Sequence, residues 1–144
     1  MIRAVNEHDV DEVIVLLKQL SPYPVNPDLD MVRAKLREIE ACDHVRVFGF
    51  ENDGKVVGMC TVGRIEGISK DCRPFAVIEN VVVHESVRRK GIGSQLVRHA
   101  ISQAEEWRCY KVVLETGTKN EAKLRFYEDC GLVRGEKTAF IRRF

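Results

Sequence analysis

The chain is short of several things, and each shortage excludes something. No window approaches the roughly 18 consecutive apolar residues that a membrane-spanning helix requires. The opening MIRAVNEHDV has no basic region followed by an unbroken apolar stretch, so it does not read as a secretory signal. A cytoplasmic protein without a membrane partner is expected. Neither charge is in excess: 23 basic and 22 acidic side chains leave a net charge of +1. There is thus no global field to draw nucleic acid, no basic-aromatic stripe accompanies the RRK at residues 88–90, and any anion site has to be local. The five cysteines are scattered and never form a CxxC pair. That argues against a disulfide framework and against a zinc site, so no metal is expected. They read as small, half-buried thiols in a reducing compartment. The P-loop spacing G-x-x-x-x-G-K-[ST] is absent, and so is the G-x-S-x-G of a serine nucleophile.

What is there suits one domain over residues 1–144, with 44% apolar and 31% charged residues and enough chain to bury a core. IRAV reads as a first strand. Residues 7–20 then place Val10, Val13, Ile14, Leu17 and Leu20 at helical spacing, with Asp9 as the expected cap. Three of the four prolines fall in SPYPVNP, residues 21–27, which stops that helix and offers a loop to line a pocket. Residues 28–41 predict a second helix with Leu29, Val32, Leu36 and Ile39 inward. The period then changes to two. HVRVFGFEN and KVVGMCTVGRI alternate around Asp53-Gly54 and predict a hairpin. EGISKDCRP reads as a loop. FAVIENVVV is apolar enough for a central strand. A helix over residues 93–107, a strand YKVVLET, a helix over 120–131 closed by Gly131 and a last strand TAFIRRF complete the order. Strands mixed with helices in this order predict an α/β (α+β) fold, a mixed sheet with helices on both faces.

The segment that bears on function is RRKGIGSQLV, residues 88–97. Glycine is costly at the start of a helix unless the backbone must do something a side chain would prevent. The first amides of a helix lack intrahelical acceptors and carry partial positive charge. Gly91 and Gly93 let that backbone close round an anion, Ser94 adds a hydroxyl, and Arg88, Arg89 and Lys90 add charge. Together they describe a phosphate cradle.

VIENVVVHESVRRKGIGSQLVRHAI resembles the acyl-CoA-binding signature of the GNAT superfamily of N-acetyltransferases, R/Q-x-x-G-x-G/A, with Arg88, Gly91 and Gly93 at its defining positions. Downstream, NEAKLRFYEDCGL is similar to the same family's N-x-x-(A/S)-x-x-x-Y-E-x-x-G-F. Asn120, Tyr127, Glu128 and Gly131 fit, Leu132 replaces Phe, and Lys123 stands where a small residue is common. WRCYKVVLE followed by that segment also has some likeness to glucosamine-6-phosphate N-acetyltransferases, without a matching motif on the acceptor side. The resemblance implies a small single-domain member with a mostly antiparallel sheet and splayed central strands. It implies acetyl-CoA as cosubstrate, entering the splay. Val81, Val82 and Val83 would run beside the pantetheine arm, with the main chain of Val81 and Val83 pairing to it. The loop Arg88, Arg89, Lys90, Gly91, Ile92, Gly93 and Ser94 would hold the pyrophosphate, through amides from Arg89 onward. Asn120 would touch the pantetheine or order its helix. A homodimer is a further expectation, from the family and from the apolar last strand.

Acetyl transfer to an amine needs an oriented thioester, a donor for its oxygen, a base for the amine and an acid for the thiolate. The resemblance makes Tyr127 the candidate acid, since a phenol stays protonated at neutral pH. Glu79, a carboxylate in an otherwise apolar strand, is the candidate base, its pKa raised by burial. Strand alternation puts Glu79, Val81 and Val83 on one face and Asn80 and Val82 on the other. His84 is an alternative base, and Glu115 could hold a cationic substrate. The expected acceptor is a small-molecule amine. The alternatives are a protein or peptide amine and a catalytically silent acyl-CoA-binding domain.

Overall fold

A computed structural model describes every residue except Pro22, one of the three prolines of the predicted helix stop. Its elements follow from short-range chemistry. The Asn6 side chain accepts the His8 amide, and the Asp9 carboxylate accepts the Asn6 amide at 2.9 Å. This capping box opens a 3-10 turn over Glu7–Asp9 that continues into α1, Val10–Leu20. Asn6, not Asp9, is therefore the cap. Asp9 is instead gripped by Arg3 through two bonds of 2.8 Å, which ties α1 to the first strand. Asp28 caps α2, Leu29–Glu40, by accepting the Met31 amide.

Contacts group the chain into two units, Met1–Leu114 and Glu115–Phe144. In the first, β1 (Ile2–Ala4), β2 (Val45–Asn52), β3 (Lys55–Ile65), β4 (Phe75–Val83) and β5 (Val112–Leu114) form one sheet in that order. Every pairing is antiparallel except β4 with β5. Asp53 and Gly54, both at positive φ, close the β2–β3 hairpin, as a two-residue turn with native strand twist requires. The expected loop at 66–74 contains one helical turn, α3 (Ser69–Cys72), with Lys70, Asp71 and Cys72 in left-handed conformations.

The sheet is covered on both faces. On one, Val10, Val13 and Leu16 of α1 and Leu36 of α2 pack on Val5, Val47, Val56, Met59 and Val82. Leu29, expected inward, is exposed, because only Val32, Leu36 and Ile39 of α2 reach this layer. On the other face lies α4, Ile92–Glu106, burying Leu96, Val97, Ala100 and Ala104. Cys60 Sγ donates to the Leu96 carbonyl at 3.6 Å, and Phe48 meets His99 edge-on, ring centroids 4.4 Å apart. Each such aliphatic side chain removed from water contributes roughly 1.5–3 kcal/mol, so the two layers hold the sheet in place.

In the second unit, Asn120 caps α5, Glu121–Asp129, by accepting the Lys123 amide at 3.1 Å. Gly131, at φ +97°, ends it: its amide returns to Glu128 and that of Leu132 to Tyr127. Arg134 clamps the helix by pairing with Glu121 and Glu128. The predicted last strand does not form among the described residues, and residues 138–144 have no ladder partner. YKVVLET shortens to the three residues of β5.

The Arg3–Asp9 pair gives a pH prediction. Hydrogen bonding to Arg3, helped by the Asn6 amide, holds the Asp9 carboxyl below its ordinary value. A depressed native pKa contributes stability above the unfolded value of about 3.9 and loses it as pH falls through the native one. Asp9→Asn should cost about 2 kcal/mol at neutral pH. The gap to the parent should close below about pH 4, read from urea unfolding across pH.

Candidate functional site

The site begins where β4 loses a neighbour. β5 pairs with Ala76, Val77 and Ile78 and stops at Leu114. Beyond that point residues 79–83 of β4 are paired through β3 alone among the described residues. His84 donates its amide to Val57 O at 2.8 Å, so by alternation the main-chain groups of Val83 and Val81 point away from β3, into the open edge.

The strand is also irregular here. Thr61 pairs with Glu79 and Met59 with Val82, so two residues of β4, Asn80 and Val81, oppose Cys60 alone. Asn80 takes φ +55°, a conformation asparagine tolerates better than most residues. This bulge breaks the expected alternation. Ala76 and Ile78 are buried on the α4 side of the sheet. Val82, an even step further along, lies in the opposite layer with Met59. Val82 is thereby committed to β3 and the core. Glu79 and Asn80 are exposed, so the expected burial of Glu79 is absent. Polar Glu79-Asn80 inside an apolar strand was the visible signal of a bulge.

A 3-10 turn over Glu85–Val87 follows, capped by the His84 ring. His84 Nδ1 lies 2.7 Å from Ser86 Oγ, and the ring borders a groove of about 390 Å³ with Asp11, Glu12 and Lys55. Two contacts that the sequence pattern did not reveal hold this turn. Arg88 Nε donates to Val83 O at 2.9 Å, and the Glu85 amide donates to Gln19 Oε1 of α1 at 2.9 Å. Arg89 (φ +62°) and Gly91 (φ +76°) are left-handed, and Gly91 is the N-cap of α4. A Cβ built on Gly91 would meet nothing within 4 Å. The amides of Arg89, Lys90, Gly91, Ile92, Gly93 and Ser94 have no acceptor among the described residues, Gln95 being the first to bond back, to Gly91 O. Ile92 contributes only main chain, for its side chain is buried. Arg89 and Lys90 are exposed around this row of donors. Consecutive unpaired amides in alternating conformations form an anion-binding concavity.

Glu115, Asn120 and Tyr127 belong to the second unit. Asn120 orders α5. Tyr127 is half-buried in its last turn, its ring edge-on to Phe126 with centroids 4.9 Å apart. No disulfide joins any cysteine, and burial pushes the Cys60 thiol up to about 12, which removes it as a nucleophile. Among the described residues no group of three or more His, Cys, Asp or Glu is placed to hold a metal, and no helix is long and apolar enough to cross a membrane.

A strand edge left open along half its length and leading into a cationic row of amides suits an extended ligand that ends in an anion. The chain belongs to the acetyltransferase (GNAT) family, whose model matches residues 13–132. Among curated relatives, it is 26% identical to glucosamine 6-phosphate N-acetyltransferase of Trypanosoma brucei brucei, covering 94% of this chain and 90% of the relative. A solved structure from Agrobacterium tumefaciens described as an acetyltransferase superposes with a TM-score of 0.91 at 33% identity, covering 99% of both chains. Another, AAC(6')-Iy with the bisubstrate analogue CoA-S-monomethyl-acetylneamine, gives 0.80 at 25% identity, covering 100% of this chain and 97% of that one.

The bulge predicts its own test. Asn80→Val should destabilise by about 1–2 kcal/mol, the cost of a left-handed β-branched residue. Asn80→Gly should recover most of that loss, read as urea midpoints.

Proposed function

We propose that the protein is a cytoplasmic, acetyl-CoA-dependent N-acetyltransferase that acetylates a primary amine of a small molecule by direct attack in a ternary complex. The observation that carries this is the continuity between the open edge of β4 at residues 79–83 and the six unpaired amides that follow. The edge offers the Val81 main chain and the Val83 amide to an extended arm, the Val83 carbonyl being taken by Arg88. The amides and the charges of Arg89 and Lys90 suit a pyrophosphate, and the empty space at Gly91 lets it approach the backbone. A relative solved with a CoA-based bisubstrate analogue supports the same cosubstrate.

The residues then divide the chemistry. The Val81 amide, turned out by the bulge, is the donor for the growing charge on the carbonyl oxygen. Glu79, exposed beside it, takes the proton of the attacking amine directly or through water. Tyr127, assigned from its motif position, gives a proton to the departing thiolate, whose conjugate acid has a pKa of about 8.5. Asn120 contributes by ordering the helix that carries Tyr127. No covalent enzyme intermediate is required. A catalytically silent acyl-CoA-binding domain is the competing reading, and turnover separates the two.

Calorimetry with acetyl-CoA should show micromolar binding that Gly91→Glu abolishes while the far-UV circular dichroism is unchanged. Tyr127→Phe should lower kcat by about 10²-fold or more with the Kd for acetyl-CoA within twofold of the parent. Full activity in that variant would remove Tyr127 from the mechanism.

The proposal extends to a homodimer through the C-terminal segment. Val133, Phe140, Ile141 and Phe144 are 77%, 94%, 62% and 110% exposed. Apolar side chains left so bare mark an association surface. A reciprocal exchange of the two tails would bury an area in the range of a stable interface, on the order of 1,600 Å². Sedimentation should give a dimer that Phe140→Ser with Ile141→Ser converts to monomer; a monomeric parent would end this part of the reading.

A further inference from the structure

We propose that the acceptor is a primary amine carried on an apolar body, an arylalkyl or alkyl amine, held by the segment between α1 and α2, and that phosphorylated amino sugars are excluded. This rests on the acetyltransferase reading and names its second substrate.

The position of the segment comes from one bond. Gln19, in the last turn of α1, accepts the Glu85 amide at 2.9 Å, and Glu85 lies two residues beyond the end of β4. The chain that leaves α1 at Ser21 therefore starts beside the end of the open edge, where an acetyl group would be presented.

Its surface is the second observation. Tyr23 and Met31 are 76% and 73% exposed, and Val25 and Leu29 are 40% and 37% exposed. Leu29 falls on the face that helical spacing assigns to the core, yet it is left out of it. Elsewhere on α2, the apolar residues Val32, Leu36 and Ile39 are packed. Large apolar side chains gathered in one short stretch of a soluble protein mark a binding surface. Pro24 and Pro27 restrict the segment, so less conformational freedom is lost when a ligand settles on it.

Charge selects the ligand further. Residues 19–32 contain no Lys, Arg or His. The one row of amides there that could hold a phosphate, the N-terminus of α2, is already occupied by the Asp28 carboxylate, with Asp30 in the same turn. A phosphate needs cationic donors or open amides and would meet two carboxylates instead. An ammonium on an apolar body meets the opposite: carboxylates at Asp28, Asp30 and Glu79 to attract it, and Tyr23, Val25, Leu29 and Met31 to cover its carbon skeleton. This departs from the glucosamine 6-phosphate named for the trypanosomal relative.

The test is a steady-state acceptor panel with the full chain and saturating acetyl-CoA: phenethylamine, hexylamine, glucosamine 6-phosphate and neamine. The expected result is a kcat/KM for phenethylamine at least about tenfold above that for glucosamine 6-phosphate. Tyr23→Ser and Met31→Ser should each raise KM for phenethylamine by about tenfold while the Kd for acetyl-CoA stays at its parental value. Preference for glucosamine 6-phosphate or neamine, no turnover of any apolar amine, or an unchanged KM in both variants would overturn the inference and leave the cosubstrate reading intact. Absence of acetyl-CoA binding to the parent chain would overturn both.

Discussion

Backbone hydrogen bonding along β4 governs most of what this chain can do. From Ala76 to Ile78 the strand is paired on both sides, as a strand inside a sheet must be. Past Leu114, β5 no longer pairs, and residues 79–83 carry one row of main-chain groups with no sheet partner. An unpaired edge ordinarily invites aggregation. Here it runs directly into more unpaired amides, from Arg89 to Ser94. Polar groups left open over so long a stretch make sense if something else is to satisfy them. The two packed layers supply the rigidity that keeps the edge extended without its neighbour, Val82 being anchored among Met59, Val13 and Leu16.

The bulge and the loop solve the same problem in two ways. Both need the backbone to leave its regular path, and both use left-handed residues to do so: Asn80 in the strand, Arg89 and Gly91 in the loop. Left-handed non-glycine residues cost about 1–2 kcal/mol each and persist only where surrounding contacts hold them. Those contacts are present. Arg88 fastens the loop to Val83, Gln19 fastens it to α1, and the buried Ile92 and Leu96 seat α4 beneath it. The conserved-looking arginine of the R-x-x-G-x-G pattern thus acts in this chain as a staple between strand and loop, which a reading of it as local positive charge had not foreseen.

Much of this was legible beforehand, for identifiable reasons. The hairpin at Asp53-Gly54, the helix caps at Asp28 and Asn120 and the stop at Gly131 depend on neighbours within a few residues, so sequence order contains them. The glycine loop was legible because Gly91 answers a local backbone demand. What was missed lies in longer-range competition. Asp9 looked like a cap, and Arg3 claimed it. Leu29 has core spacing, and α2 crosses the sheet too far away to use it. TAFIRRF has the composition of a strand, but an edge to pair with is not a property of the segment.

By itself the sequence determined the element order, the mixed α/β class and the cradle at Gly91 and Gly93, because period, capping and turn chemistry act over one or two turns of chain. Only the tertiary structure decided that β4 opens after Ile78, that Asn80 bulges, and that Glu79 faces solvent. Those outcomes depend on which strand lies on each side of a residue and on which layer receives its side chain. Such pairings join residues some twenty to sixty positions apart, where no local pattern can reach.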